Sequence, residues 1–487
     1  MTAPASLFRR RSICPLLLMA VAGCTAGPNY IRPTVALPAT WKAAPGWAVA
    51  APADHKLRGD WWTLFGDQTL DRLVAQANAA NQTLASAAAN YAQARATVRE
   101  TRAALLPVVN LNGSANYQGQ GGSNRTITDP VTGQIVTVGG SRRTTRLQLG
   151  IGTSWEPDLF GRIDRSVEAS RANAEAALAD LGSARLAIQG ELAINYLAMR
   201  GTDEEIGIVE QTIAGYERAL RIANNRYEAG IAIRTDVFDA DAQLASTRAV
   251  LEGLIQRRQT LENAIAVLVG TPAGNFHLSR TKPIAAVPEV PGTLPSTLLQ
   301  RRPDIAAAQR RVAVANAAIG IERSAFFPSL VLSANGGQNA GSVGALFGTA
   351  ANIWSLGAGL AQTIFDNGAR GARVAQARAA YDAAVADYRQ TVLVAFQQVE
   401  DQLTAAQVLV RQQALLRQAS VAAGRSEATL LNRYQSGQIA YTDVVIAQAT
   451  ALNARRALIQ ASIDRQTAAV ALIQATGGGW SMVSIPK

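Results

Sequence analysis

The sequence predicts a mainly α-helical protein with a membrane β-barrel part, built from a duplicated unit of one helix, two strands and two long helices. Two segments, NRYEAGIAIRTDV from Asn225 and NRYQSGQIAYTDV from Asn432, repeat each other 207 residues apart (432 − 225). Proline-free stretches with a seven-residue apolar spacing surround these segments, and four shorter stretches mix apolar residues with Gly, Ser and Asn. A repeat of this size indicates that a whole structural unit was duplicated.

The N-terminus predicts an export signal. Three consecutive arginines precede an apolar run from Ile13 to Ala22, which is too short to span a membrane as a helix. The run ends in VAGC, which resembles a bacterial lipobox and makes Cys24 the expected lipid-bearing residue of the mature chain. We therefore predict a signal peptide over residues 1–23 and a lipidated, proline-rich extended leader over 24–66. Removing the three arginines lowers the formal charge from +11 to +8, and one remaining cysteine cannot form an internal disulfide.

The first repeat is predicted over residues 67–270. It begins with a helix, continues as a β-hairpin over 108–155 and ends with a long helical hairpin over 161–270. The long helices contain no proline between Gly161 and Ala229. Their seven-residue spacing is that of a coiled-coil seam. Its apolar positions are Leu192, Met199, Ile206, Ile213, Leu220 and Tyr227.

The second repeat is predicted over residues 303–477, with a helix, a β-hairpin over 329–365 and a helical hairpin over 368–477. The two helical hairpins keep the offset of 207 residues throughout. A proline-rich connector, 271–302, joins the repeats, and residues 478–487 form a C-terminal tail. The helical hairpins are therefore expected to be equivalent structures.

Four segments predict strands of membrane-spanning length. They begin at Val108, Thr145, Ser329 and Asn352 and mix apolar residues with Gly, Ser, Asn and Gln, while glycine-rich loops are predicted between the paired strands. A transmembrane β-strand needs about 9–11 residues, and its alternation is weak in any single strand. From these segments alone, two soluble hairpins and a membrane sheet are equally good interpretations.

A sheet in lipid must close on itself, because open edges leave backbone groups without hydrogen bonds. Four strands are too few for one chain, since the smallest outer-membrane barrels have about eight. Two chains would give a filled eight-stranded barrel, and three chains would give twelve strands and room for a channel. The residues alone leave both numbers open.

Composition argues against nucleic-acid binding and against catalysis. Basic residues are scattered along helical stretches and do not alternate with aromatic residues, despite the charge of +11. His55 and His277 lie in proline-rich irregular segments without a nearby metal-ligand set, and we expect them to face solvent. No phosphate loop, GxSxG or HExxH motif occurs. We therefore expect no enzyme, no catalytic residue, no metal and no cofactor other than the lipid on Cys24.

Several longer motifs together resemble one family. They are CTAGPNYIRP after the lipobox, DWWTLFGDQTLDRLV, SWEPDLFGR, LPSTLLQRRPDI and the paired NRY…G…TDV segments. In this order and spacing they resemble the TolC-type outer-membrane efflux proteins, in the lipoprotein (NodT-type) branch of tripartite efflux systems. The resemblance extends from Cys24 to about Gly477.

The resemblance implies a homotrimer in the bacterial outer membrane. Each chain would give four strands to a 12-stranded barrel, and its long helices would form a lipid-anchored tunnel in the periplasm. The tunnel would meet a periplasmic adaptor protein and an inner-membrane proton-driven pump, and would passively conduct drugs or other small exported compounds. The alternative is a surface-anchored coiled-coil scaffold or adhesin without a pore, which would not require two equivalent hairpins.

The repeated segments would then be the turns at the periplasmic tips of the helical hairpins. Gly230 and Gly437 would lie at the turns, where glycine allows unusual backbone angles, and would contact the adaptor. The resemblance implies that Asp236 and Tyr434, together with Thr235, belong to the periplasmic aperture and that Asp236 and Tyr434 help to hold it closed. It also implies that Asp443 contributes to an acidic ring that attracts cations.

The residues also allow a purely structural interpretation of the tips. Asp236 and Asp443, with Thr235 beside the first, could simply begin or cap the returning helices. Two further positions depart from the family pattern: Ile439 replaces a basic gate residue, and Ile446 replaces a second acidic residue. One acidic ring is therefore expected where other members have two.

Overall fold

The computed structural model describes residues 25–35, 60–121, 125–138, 142–281, 287 and 302–478. The predicted signal peptide, Cys24, His55, much of the leader and of the connector, and nearly all of the C-terminal tail lie outside these ranges. Eight helices and six strands of the described part are labelled here in chain order. The helices are α1 (Gln68–Ala80), α2 (Gln82–Ala103), α3 (Arg162–Glu228), α4 (Arg234–Leu268), α5 (Pro303–Ser324), α6 (Val343–Leu346), α7 (Ala369–Gln435) and α8 (Tyr441–Ala475). The strands are β1 (Val108–Gln120), β2 (Arg125–Thr128), β3 (Ile135–Val138), β4 (Arg142–Trp155), β5 (Ser329–Ala340) and β6 (Asn352–Ala361).

The long helices repeat with the offset that the sequence predicts. Helices α3 and α7 have 67 residues each, and α4 and α8 have 35 residues each. Both pairs begin 207 residues apart (369 − 162 and 441 − 234). The glycines that bound them also match in backbone angle, which few residues other than glycine adopt easily. Their φ values are 78° and 84° at Gly161 and Gly368, 74° and 76° at Gly230 and Gly437, and 74° and 92° at Gly270 and Gly477.

The predicted helix ahead of the first hairpin is two helices, because Asn81 interrupts it. The Asn81 backbone is extended, and its Oδ1 accepts a hydrogen bond from the Leu84 N–H at 3.1 Å, as an N-cap residue does. Its Nδ2 donates to the Leu268 carbonyl oxygen at 2.8 Å. The break thus ties the start of α2 to the end of α4.

The chain divides into two compact units. The first comprises residues 1–31, 93–174 and 311–384. Its main sheet is antiparallel, with strand order β1-β4-β5-β6. The segment between β1 and β4, predicted as a loop, contains a separate two-stranded sheet of β2 and β3. The prediction missed these strands because Gly-rich composition masked two short β-branched runs.

The two faces of the main sheet differ in chemistry. Directly paired residues share a face, so Leu111, Ile151, Gly336 and Trp354 form one row across the four strands. Leu111, Ile151 and Trp354 are 73%, 58% and 79% exposed. The opposite face has polar rows. One of these rows consists of Asn110, Gly152, Asn335 and Ser355. An exposed apolar face beside a polar face is the pattern of strands with lipid on one side.

The second unit comprises residues 32–92, 175–310 and 385–487. Its largest apolar cluster packs the 3-10 helix Trp61–Phe65 and α1 against α3, α4 and α8. Three of the six predicted seam positions of α3 are buried, and Ile213 and Leu220 are partly buried. Leu192, Met199 and Ile206 have no exposed surface, whereas Tyr227, at the end of the series, is 42% exposed.

A buried ion-pair network lies beside this cluster. Asp203 accepts from Arg258 Nε at 2.6 Å and from Arg200 Nη1 at 3.1 Å, and Arg258 also pairs with Glu262 at 3.2 Å. Glu262 accepts from the Leu278 backbone N–H at 2.6 Å. Charges this well buried need such partners, so the network fixes the start of the connector to α3 and α4.

Among the described helices, none is both long enough and apolar enough to cross a membrane.

Candidate functional site

The two tip turns have the same backbone structure. In each, a glycine of positive φ donates its N–H to a carbonyl of the preceding helix, from Gly230 to Tyr227 and from Gly437 to Tyr434, both at 2.9 Å. Such turns satisfy carbonyl groups at the end of a helix that lack intrahelical donors. The structure therefore places Gly230 and Gly437 at the turns, as predicted, and both are exposed.

Asp236 and Tyr434 are brought together between the two helical hairpins. The Tyr434 hydroxyl donates to Asp236 Oδ2 at 3.5 Å. Both residues are buried, with Tyr434 2% exposed and Asp236 9% exposed. Burial raises the pKa of Tyr434 above its ordinary value, and the Asp236 carboxylate adds to this rise. The Tyr434 phenol therefore keeps its proton for the hydrogen bond to Asp236.

Arg226 is part of this site and was not singled out from the sequence. Its guanidinium carbon lies 4.7 Å from the Tyr434 ring centroid. Its Nη1 donates to the carbonyl oxygens of Tyr434 at 2.6 Å and of Gln435 at 3.2 Å. A cation is favourable at the C-terminal end of a helix, where the carbonyl dipoles point. The Asn-Arg-Tyr triplet shared by both segments was the signal that could have identified it.

Tyr441 packs against Tyr434 in this site. Their ring centroids lie 4.9 Å apart, and Tyr441 is 1% exposed. Burial raises the pKa of Tyr441 well above its ordinary value. Ile439 is partly buried against the same cluster and adds apolar contact there. Ile446 is 62% exposed.

Thr235 and Asp443 are exposed and do not join this cluster. The aspartates lie at the beginning of the returning helices but do not cap them, because the N-cap residues are Ile233 and Ala440, which make no side-chain cap bond. Asp236 and Asp443 instead lie in the first turns of α4 and α8, where a carboxylate interacts favourably with the helix dipole.

Within the described ranges, no three His, Cys, Asp or Glu side chains come together as a metal site would require. His277, predicted to face solvent, has a side chain that is 77% exposed, and its Nδ1 lies 3.2 Å from Glu262 Oε1. One side chain of the pair is therefore open to water and the other belongs to the buried network.

The family model for outer membrane efflux proteins matches residues 73–271 and 294–478, which include both helical hairpins. The chain belongs to the outer membrane efflux protein family. It is similar to outer membrane protein OprJ of Pseudomonas aeruginosa, with 31% identity over 96% of this chain and 95% of that protein. It is also similar to the probable efflux pump outer membrane protein TtgC of Pseudomonas putida, with 30% identity over 94% and 93% of the two chains.

Solved structures agree with this assignment. The outer-membrane channel OprN superposes with a TM-score of 0.83 at 31% identity, covering 94% of this chain and all of that chain (100%). The predictions of an outer-membrane efflux channel, and of no enzymatic activity, are confirmed. The scaffold or adhesin alternative finds no support in these similarities.

Proposed function

We propose that three copies of this chain form a channel that passively conducts drugs or other small exported compounds out of the cell. The observation that carries the proposal is the open four-stranded sheet with one apolar, exposed face. Within the described part of the chain, its edge strands β1 and β6 pair only on one side. Lipid requires those edges to be paired, and neighbouring copies supply the strands that do so.

The number three follows from the space inside the barrel. Two copies would give a barrel of about eight strands, whose interior side chains fill. Three copies give about twelve strands and an open interior. The polar row of Asn110, Gly152, Asn335 and Ser355 would then line the channel and present neutral amide and hydroxyl groups to passing compounds.

A periplasmic adaptor and an inner-membrane proton-driven pump complete the proposed system. The name of the similar TtgC describes it as part of an efflux pump. Gly230 and Gly437 would meet the adaptor at the tips, beside Ile231 and Ile233, which are each 68% exposed. Exposed apolar residues at a turn are suited to a protein contact.

The tip cluster would act as the periplasmic aperture. Arg226 and Asp236 of the first hairpin both bind Tyr434 of the second, so they resist separation of the two hairpins within one chain. Asp443 is exposed in the first turn of α8, and three copies would form an acidic ring. Carboxylate rings attract cations and disfavour anions at a constriction.

Cys24 would carry the lipid close to the sheet. The residues that follow it are fixed in the first unit: the Ala26 N–H donates to the Phe160 carbonyl oxygen at 3.0 Å, and Arg165 Nη2 donates to Asn29 Oδ1 at 2.8 Å. Phe160 lies in the connection between β4 and α3. A lipid at Cys24 and the apolar sheet would give the two membrane attachments that stable anchoring requires.

Ion conductance in planar bilayers tests the proposed function. Purified wild-type protein should form channels, and the Asp236→Asn/Tyr434→Phe double variant should show higher conductance, because the hydrogen bond across the tip is lost. Asp241→Asn removes an exposed charge from α4 and should leave conductance unchanged. Absence of channels from both the wild type and the double variant would overturn the proposal.

A further inference from the structure

The two Asn-Arg-Tyr triplets have the same sequence and opposite environments. Arg226 of the first packs on Tyr434 of the second, and Tyr434 is 2% exposed. Their counterparts at the 207-residue offset are Arg433 and Tyr227. Arg433 is exposed, and Tyr227 is 42% exposed. Arg226 and Tyr434 therefore contact each other inside the chain, whereas Arg433 and Tyr227 do not.

The backbone around Tyr227 is ready for the same contact. Its carbonyl oxygen accepts from Gly230, as that of Tyr434 accepts from Gly437, and each carbonyl has a second lone pair. A Cβ atom at Gly437 would lie 3.6 Å from Arg226 Nη2, whereas the corresponding direction at Gly230 faces open space. An arginine side chain would fit beside Gly230 as Arg226 fits beside Gly437.

A second pair of positions, away from the tip turns, behaves in the same way. Inside the chain, Leu186 of α3 lies against α8, where Gln474 Nε2 donates to the Leu186 carbonyl oxygen at 3.1 Å. The counterparts are Leu393 of α7 and Val267 of α4. These apolar side chains are 57% and 69% exposed. Large apolar residues at both positions point to a protein surface that covers them.

We propose that these exposed residues meet between chains: Arg433 stacks on Tyr227 of the partner subunit, and Leu393 packs on Val267 of the partner subunit. The inference rests on the proposed trimer. In a closed ring of three chains, first and second hairpins alternate, so each second hairpin also adjoins a first hairpin of the next chain. The interface between α3 and α8 within a chain then repeats as an interface between α7 and α4 of neighbouring chains.

The same exchange of hairpins assigns a partner to Asp443. Within a chain, Asp236 accepts from the Tyr434 hydroxyl at 3.5 Å. Between chains, Asp443 takes the place of Asp236 and accepts from Tyr227 of the partner subunit. A carboxylate that accepts one hydrogen bond keeps its charge and its other lone pairs, so this contact leaves the proposed acidic ring intact.

Cysteine cross-linking with a short bis-maleimide, in cells that express the full chain, tests the inference. The double variants Tyr227→Cys/Arg433→Cys and Val267→Cys/Leu393→Cys should give dimers and trimers on denaturing gels. The matched controls Arg226→Cys/Tyr434→Cys and Leu186→Cys/Gln474→Cys place cysteines at the equivalent contacts inside the chain and should run as monomers. All four interchain positions are exposed, so the variants should fold.

The mass of the uncross-linked protein in detergent separates the possible failures. A particle of three chains without interchain cross-links would overturn the inference and leave the proposed trimer standing. If the control pairs gave interchain cross-links as abundantly as the test pairs, that result would also overturn the inference. A particle that does not contain three chains would overturn the trimer and the inference together.

Discussion

Arg226 and Tyr434 lie 208 positions apart, in different repeats, and are joined twice: the guanidinium covers the phenol ring at 4.7 Å, and Nη1 donates to the tyrosine carbonyl oxygen at 2.6 Å. Asp236 accepts from the hydroxyl of the same tyrosine. One side chain and its own carbonyl group thus receive three contacts from the first hairpin. Tyr434 therefore receives contacts from both Arg226 and Asp236, and each of these two residues can be replaced separately.

Arg226→Gln should lower the free energy of unfolding by about 1–3 kcal/mol, because a charged hydrogen bond and a cation–π contact are lost. The free energy of unfolding of Arg226→Lys should lie between those of Arg226→Gln and the wild type, since lysine keeps the charge and lacks the planar guanidinium group. Thermal unfolding in detergent measures both. Arg221→Gln, at an exposed position of the same helix, is the control. An equal loss in Arg221→Gln and Arg226→Gln would contradict the assigned contacts.

Asp443→Asn should weaken block of the channel by multivalent cations. Removing three carboxylates from one ring is expected to raise the blocking concentration about tenfold, which corresponds to about 1.4 kcal/mol. Titration of a trivalent cation against single-channel current in bilayers measures the change. Asp464→Asn, at an exposed position farther along α8, should leave the block unchanged. If the Asp443→Asn channel is blocked at the same cation concentration as the wild type, the Asp443 carboxylate does not line the aperture.

The duplicated hairpins could be predicted closely because their signals are periodic and repeated. Glycines such as Gly230 and Gly437 mark turns with a positive φ, which other residues adopt only at a cost, and the proline-free seams of α3 and α7 run without interruption. The offset of 207 residues carried every boundary from one copy to the other. Local sequence was therefore sufficient for the elements that position the site.

The environment of each tip residue could not be predicted in the same way. Arg226 and Arg433 have the same local sequence and the same helical position, yet only Arg226 packs on a tyrosine within the chain. Their difference depends on which hairpin lies beside each one, and that information is not local. The helix break at Asn81 was missed for a similar reason, because its side chain is fixed by a contact with Leu268.

Asp203→Asn should destabilise the protein by about 3–5 kcal/mol, because it leaves buried Arg200 and Arg258 without their shared carboxylate. The reduction in melting temperature measures this loss. A matched exposed pair is Arg248 and Glu217, whose side chains are 57% and 39% exposed. Glu217→Gln should cost no more than about 1 kcal/mol. Similar losses in the two variants would contradict a special role for the buried network.

Tyr216→Phe should make stability less sensitive to alkaline pH. Burial raises the pKa of Tyr216 to about 12, above the unfolded value of 10.0. The unfolded chain therefore loses the proton first, so this contribution to stability is complete below pH 10 and is lost as pH rises toward 12. Melting temperatures measured across this interval should fall less in Tyr216→Phe than in the wild type. Tyr117→Phe, at an exposed position, should follow the wild type.

Gly201→Ala should destabilise the contact between α3 and α8, although alanine favours a helix over glycine by about 1 kcal/mol. A Cβ atom at Gly201 would overlap the Ile463 side chain, and such overpacking costs about 1–3 kcal/mol. The same substitution at Gly207, also in α3, meets nothing within 4 Å and should raise the melting temperature. Adding Ile463→Ala to Gly201→Ala removes the overlapping atoms and should recover part of the loss. Equal effects of Gly201→Ala and Gly207→Ala would show that the helices do not approach closely at Gly201.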